Sequence, residues 1–219
     1  MPTVLAREVI ADANTLLVDA GFSRWSEQEL LGHLNAAQLA IALRRPDSSV
    51  VNETLTCVAG TKQELPATGL RVIKIVRNTV GKTAVTFITQ DVLDEQLPDW
   101  HDETVHVPGT VEHYVFDDRD PRTYYTYPPA ADGHQLDGVY SVAPATVEET
   151  DFTNGTETIT LPDIYRGPIL DYILWRCYLK DSENATNAAR AANHYNAFLR
   201  ALGDKTQADA AVSPANDST

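Results

Sequence analysis

The order of its parts constrains this chain most: helix-periodic sequence at both ends and, between them, a strand-rich centre that holds the segment Val111–Pro129. Terminal helical pairs can share one core only if the chain leaves the bundle, builds a sheet and returns. The order therefore predicts an α+β fold, a helical bundle drawn from both chain ends with an inserted antiparallel β-rich lobe. The expected limits are residues 1–46 and 162–203 for the bundle, 47–161 for the lobe, and 204–219 for a flexible C-terminal tail.

Leu5, Val9, Ala13, Leu16 and Ala20 recur at steps of three and four, which marks one face of a helix, and Gly21 stands where a stop is expected. The second helix has a full set of start signals. Ser26 is placed as N-cap, Glu29 to return the capping bond, and Trp25 to staple onto Leu30. Its apolar line runs Leu30, Leu34, Ala37, Ile41, and Arg44, Arg45 and Pro46 end it. After Pro162 the helical period returns with Leu170, Ile173 and Cys177. A last helix over Ala185–Leu202 aligns Ala188, Ala191, Tyr195, Phe198 and Leu202, with Gly203 as its stop.

Short β-branched runs between turn residues predict strands at Val50–Val58, Leu70–Arg77, Val85–Ile88, Val111–Phe116, Thr123–Tyr127, Val139–Val142 and Thr156–Leu161. Asn78–Lys82, with Gly81 at its centre, and Asp118–Pro121 read as turns. Gln63–Pro66 reads as a connection and Asp91–Gln96 as a short helix. Tyr127, Pro128 and Pro129 read as the end of a strand, since consecutive prolines remove backbone donors.

A formal net charge of −14 argues against a protein that grips nucleic acid by neutralising phosphates. The charge is also uneven. Residues 91–120 hold ten acidic side chains against the single Arg119, whereas residues 70–90 hold Arg71, Lys74, Arg77 and Lys82 with no acid. Segments of opposite sign read as solvated faces or as surfaces that orient neighbours in an assembly. No stretch has the roughly 20 apolar residues that span a bilayer, and the N-terminus has no signal core, so synthesis and retention in a cytoplasm are expected. Cys57 and Cys177 read as buried thiols.

Enzyme signatures are scarce: there is no glycine-rich phosphate loop, no Gly-x-Ser-x-Gly elbow and no His-Glu-x-x-His. His101, Asp102, Glu103, His106 and His113 are metal-ligating types, but their spacing places them on no common helix face and favours a solvated acidic loop. Asp117, Asp118 and Asp120 beside Tyr124, Tyr125 and Tyr127 have the residue types of a carbohydrate site. Adjacency in a turn supplies no cleft, so the reading as turn acids and strand aromatics is favoured for the same residues. No catalytic residue, metal or cofactor is expected.

The motifs in their order resemble the head-to-tail adaptor proteins of tailed bacteriophages, in particular the tail tubular protein A type of short-tailed phages. The resemblance is carried by Leu30–Gln38 after the Trp25 capping segment, Gly60–Pro66, Ile75–Asn78, Pro98–Trp100, His113–Asp117, Tyr125–Pro129, Asp171–Tyr178 and Asn193–Phe198. It implies a virion structural protein, made in the host cytoplasm, that forms a ring, a dodecamer, beneath the portal protein and offers a platform to the distal tail or nozzle. Genomic DNA would pass its channel without specific binding, and no membrane is involved.

The resemblance also implies a C-terminal tail that reaches the portal, with Val212, Ser213 and Pro214 as the candidate contacts. Subunit-interface candidates are Arg71, Lys74 and Arg77 on the basic side and Asp117, Asp118 and Asp120 on the acidic side. The alternative from another class is a carbohydrate-binding or carbohydrate-active tail-associated protein that uses the Asp117–Tyr127 region. A subunit of some other cytoplasmic ring or scaffold stays open as a third.

Overall fold

Asp19 organises the start of the chain. Its carboxylate accepts the backbone N–H groups of Ser23, Arg24 and Trp25 at 3.1, 2.9 and 3.0 Å, shaping the connection between α1 (Ala6–Leu17) and α2 (Glu27–Arg44). These bonds deliver Trp25 to the position before the Ser26 cap, whose Oγ accepts the Glu29 amide at 3.2 Å. Trp25 and Leu30 are buried in one core, as a hydrophobic staple requires. The Glu29 carboxylate, expected to turn back on the cap, reaches Lys180 Nζ at 2.7 Å instead. Helix α1 also stops earlier than Gly21, with Val18 in the left-handed region, and Ile10 rather than Leu16 completes its buried face.

The computed structural model describes residues 2–19 and 21–212. Among them five α-helices and two sheets make a mixed α+β protein. The chain divides into two compact units, one holding the residues up to Ser48 and from Pro144 onward, the other Ser49–Ala143.

In the first unit, α4 (Arg166–Lys180) packs on α2 and on α5 (Ala185–Val212). Val9, Ile10, Leu30, Leu34, Ile41, Ile169, Ile173, Cys177 and Phe198 are withdrawn from water in one cluster. Each such large aliphatic or aromatic side chain contributes roughly 1.5–3 kcal/mol by burial.

Two further expectations fail in this unit. Residues 156–161 form no strand beyond an isolated bridge between Leu5 and Thr158. Side chains satisfy the main chain there: Asn35 clasps the Val147 peptide at 2.9 and 3.0 Å, and Gln38 Oε1 accepts the Thr160 and Leu161 amides at 2.6 and 3.2 Å. The buried Glu149 accepts the amides of Thr150 and Asp151, both at 2.9 Å. Gly203, expected as a helix stop, lies inside α5. One interior glycine costs only about 1 kcal/mol, and alanine, lysine and glutamine beyond it favour the helix.

The second unit is a sandwich of two sheets around one apolar cluster. Strands β1 (Val50–Thr56), β7 (Gln135–Val142) and β3 (Gly69–Asn78) form one sheet in that order; β2 (Gly60–Glu64), β6 (Thr123–Ala130), β5 (His113–Phe116) and β4 (Thr86–Phe87) form the other. Leu55, Val72, Ile75, Tyr114, Tyr124, Leu136 and Tyr140 fill the space between. The outer face of the second sheet, with Val115, Tyr125 and Tyr127, is covered by Trp100 and by Leu93 of α3 (Gln90–Gln96).

Three departures from the sequence reading have physical causes. The Gln63–Pro66 connection begins inside β2, which pairs with β6. Strand β6 does not stop at its prolines but runs through Pro128 and Pro129 to Ala130, with the Tyr127–Pro128 bond cis. The register of β2 shifts opposite them, between Gly60 and Lys62, where no donor is demanded of β6, while the Pro129 carbonyl still accepts the Gly109 amide at 3.2 Å. After the turn at Gly81, the chain makes one bridge back to Arg77 and then, as the two-residue β4, pairs parallel to β5.

Candidate functional site

Arg71, Lys74 and Arg77 are spaced by three, a spacing that in a regular strand would send them to alternating faces. Strand β3 carries three register shifts against β7, after Gly69, Val72 and Ile75, and its buried residues recur every third position. The bulges set all three cations in one row opposite Ser141, Val139 and Asp137, while Val72, Ile75 and Asn78 turn inward.

Two of the three cations are neutralised within the chain. Arg71 Nη2 lies 2.6 Å from Asp118 Oδ1, and Arg77 Nε lies 2.6 Å from Asp137 Oδ2. The Arg77 guanidinium, with the hydroxyl of Thr79, holds the Asp137 carboxyl below the usual aspartate range. Lys74 is exposed and has no ion-pair partner among the described residues. Of the acidic candidates, Asp117 accepts the Arg119 amide at 2.9 Å, and Asp120 donates its own amide to the Asp117 carbonyl at 3.0 Å. The three acids occupy an exposed turn between β5 and β6.

The tyrosines beside them do not form one platform. Tyr124 is buried between the sheets, where its ring packs in the apolar cluster, whereas Tyr125 and Tyr127 lie on the opposite face of β6. Burial raises the Tyr124 hydroxyl far above the ordinary value of 10.0.

The histidines are likewise spread out. His101 lies tilted against the Trp100 ring and its Nδ1 bonds the Thr61 hydroxyl at 2.8 Å; His106 lies 3.1 Å from Asp99; and His113 meets the Thr86 hydroxyl at 2.6 Å. Asp102 caps the Thr104 amide at 2.8 Å, and Glu103 approaches Gly60. No group of three or more His, Cys, Asp or Glu converges among the described residues. Among those residues no helix is long and apolar enough to cross a membrane.

Exposed apolar side chains mark further surface that sequence reading missed. On α2, Leu39 and Leu43 sit one turn apart and are 47% and 71% exposed, on a helix whose other face is core. The signal was in the sequence, because α2 has apolar residues on two faces. In the sandwich Val80, Phe87 and Val107 are exposed without any periodic signal to announce them. Val212 closes α5, and Ser213 and Pro214 lie outside the described residues.

Compared with known proteins, residues 5–217 match a family model described as SU10 adaptor protein. No curated protein matches.

Proposed function

The chain belongs to the SU10 adaptor protein family, a family of bacteriophage head-to-tail adaptors, and from that premise we propose that it builds a ring, a dodecamer, beneath the portal and presents a platform to the distal tail or nozzle. The family match over nearly the whole chain carries this reading. In this role the chain resembles the tail tubular protein A type, is assembled in the host cytoplasm and acts as a structural part rather than a catalyst.

Physical features support the role. A channel through which a genome moves must not hold phosphate, and a net charge of −14 gives DNA little to adhere to. Ring building by a head-to-tail contact needs two different, complementary faces on one subunit. The outward row of Arg71, Lys74 and Arg77 and the turn acids Asp117, Asp118 and Asp120 supply opposite signs. Because Arg71 and Asp118 already satisfy each other, Lys74, Asp117 and Asp120 carry most of the charge left for a neighbour. The C-terminal segment, with Val212, Ser213 and Pro214, is assigned to the portal.

Co-sedimentation of the purified protein with its portal tests the role. The adaptor reading expects a saturable complex, and removal of residues 213–219 should weaken it without unfolding the protein. A protein that never sediments with the portal contradicts the reading.

A further inference from the structure

We propose that the turn Val80–Lys82 of one copy seats in the groove between Phe87 and Phe116 of the next copy, an inference that rests on the adaptor reading. The groove, of about 390 Å³, is lined by Phe87, Gln90, Asp91, Phe116, Asp117 and Asp118. Its floor is aromatic: Phe87 is 51% exposed, yet its ring centroid lies only 5.4 Å from that of Phe116. Its rim is acidic, and of the three carboxylates only that of Asp118 is taken by an arginine other than the wholly exposed Arg119. An apolar floor with an anionic rim fits an apolar residue next to a cation, with the ammonium drawn both to the carboxylates and to the ring faces.

The protein carries such a segment in the same unit. Val80 is 77% exposed at the turn after β3, and Lys82 beside it is exposed and has no ion-pair partner among the described residues. The turn is held in shape from below, because Asn78 Nδ2 donates to the Thr83 hydroxyl at 2.9 Å and to the Val111 carbonyl at 2.7 Å. Little ordering is therefore left to binding.

Strand β5 runs from the neighbourhood of Val111, beside the turn, to Phe116, beside the groove. The turn follows Asn78 at the end of β3, whereas Asp118 on the groove's rim pairs with Arg71 near the start of that strand, so the two features stand apart along β3 and a copy does not fill its own groove. Contacts between unlike ends propagate head to tail and close into a ring when the rotation between copies permits.

Cysteine cross-linking of the full chain on the portal tests this. A Lys82→Cys protein mixed with an Asp91→Cys protein should give disulfide-linked dimers in portal-bound assemblies, whereas Ser182→Cys mixed with Asp91→Cys should not. As a second readout, Lys82→Glu or Asp91→Lys alone should lower the number of subunits per portal at least about tenfold at limiting concentration, and the two together should restore it. Rings that form on the portal without the 82–91 cross-link, and with Lys82→Glu equal to wild type, overturn the inference and leave the adaptor reading standing. A cross-link from residue 91 to the portal in place of a second copy also overturns it. Failure of the unmodified protein to attach at all overturns both.

Discussion

Asn78 holds the Val111 main chain from both sides: its Nδ2 donates to the Val111 carbonyl at 2.7 Å and its Oδ1 accepts the Val111 amide at 3.1 Å. The same Oδ1 accepts from His134 Nε2 at 2.7 Å, so the ring nitrogen facing it carries the proton. Asn78 is fully buried, and loss of its amide leaves several polar groups without partners. Asn78→Ala should destabilise the protein by about 3 kcal/mol, read as a lowered urea midpoint, and Asn78→Asp should also fail to restore it, because a carboxylate cannot donate.

Gly138 on the central strand β7 lies under Leu55 of β1 and Ile75 of β3, and a Cβ there would meet the Leu55 side chain at 2.5 Å. Gly138→Ala should therefore cost about 1–3 kcal/mol through overpacking, although alanine normally favours a strand over glycine. Equal stability of the variant and the wild type by denaturation would count against the packing described.

The two cysteines report separately on the two units. Burial pushes the Cys57 thiol up to about 11 and the Cys177 thiol up to about 12. Neither should react with a thiol reagent at pH 8 in the native protein, and both should react at once in denaturant. At intermediate denaturant, unequal labelling would show that the sandwich and the helical unit open independently.

Several aspartates make stability depend on acid. Asp19 is held below its ordinary 3.8 by the Trp25 amide and then those of Arg24 and Ser23, and Asp163 by the hydroxyl and amide of Thr3. Each has a folded-state pKa below the unfolded one, so its contribution is complete above the unfolded value and is lost as the pH falls through the folded value. Burial holds the His33 imidazole below its ordinary 6.5, so stability should begin to decline as the pH falls through that value; these aspartates add a further drop below about pH 4, part of which Asp19→Asn should flatten. A drop below pH 4 that Asp19→Asn leaves unchanged would contradict this assignment.

What the sequence made legible was local. The Ser26 cap, the Trp25 staple and the apolar line of α2 depend on residues within a few positions of one another, and the structure has them. What stayed hidden depends on partners far along the chain. Strand β2 has no β-branched run and is a strand because β6 lies beside it; residues 156–161 look like a strand and make only one bridge, because Gln38 takes the Thr160 and Leu161 amides and Glu149 that of Glu157. The three-residue period of β3 violates strand alternation, and only its bulges against β7 explain it. The opposite charges of residues 70–90 and 91–120 are visible at once, but that Arg71 and Asp118 meet within one chain is not.

Electron microscopy of the protein mixed with its portal, beside the protein alone, tests the central claim most directly. The account predicts rings stacked coaxially on the portal with as many copies as the portal presents, a dodecamer. Particles in which the portal stays bare, or in which the protein binds as scattered single copies with no closed ring, would contradict it.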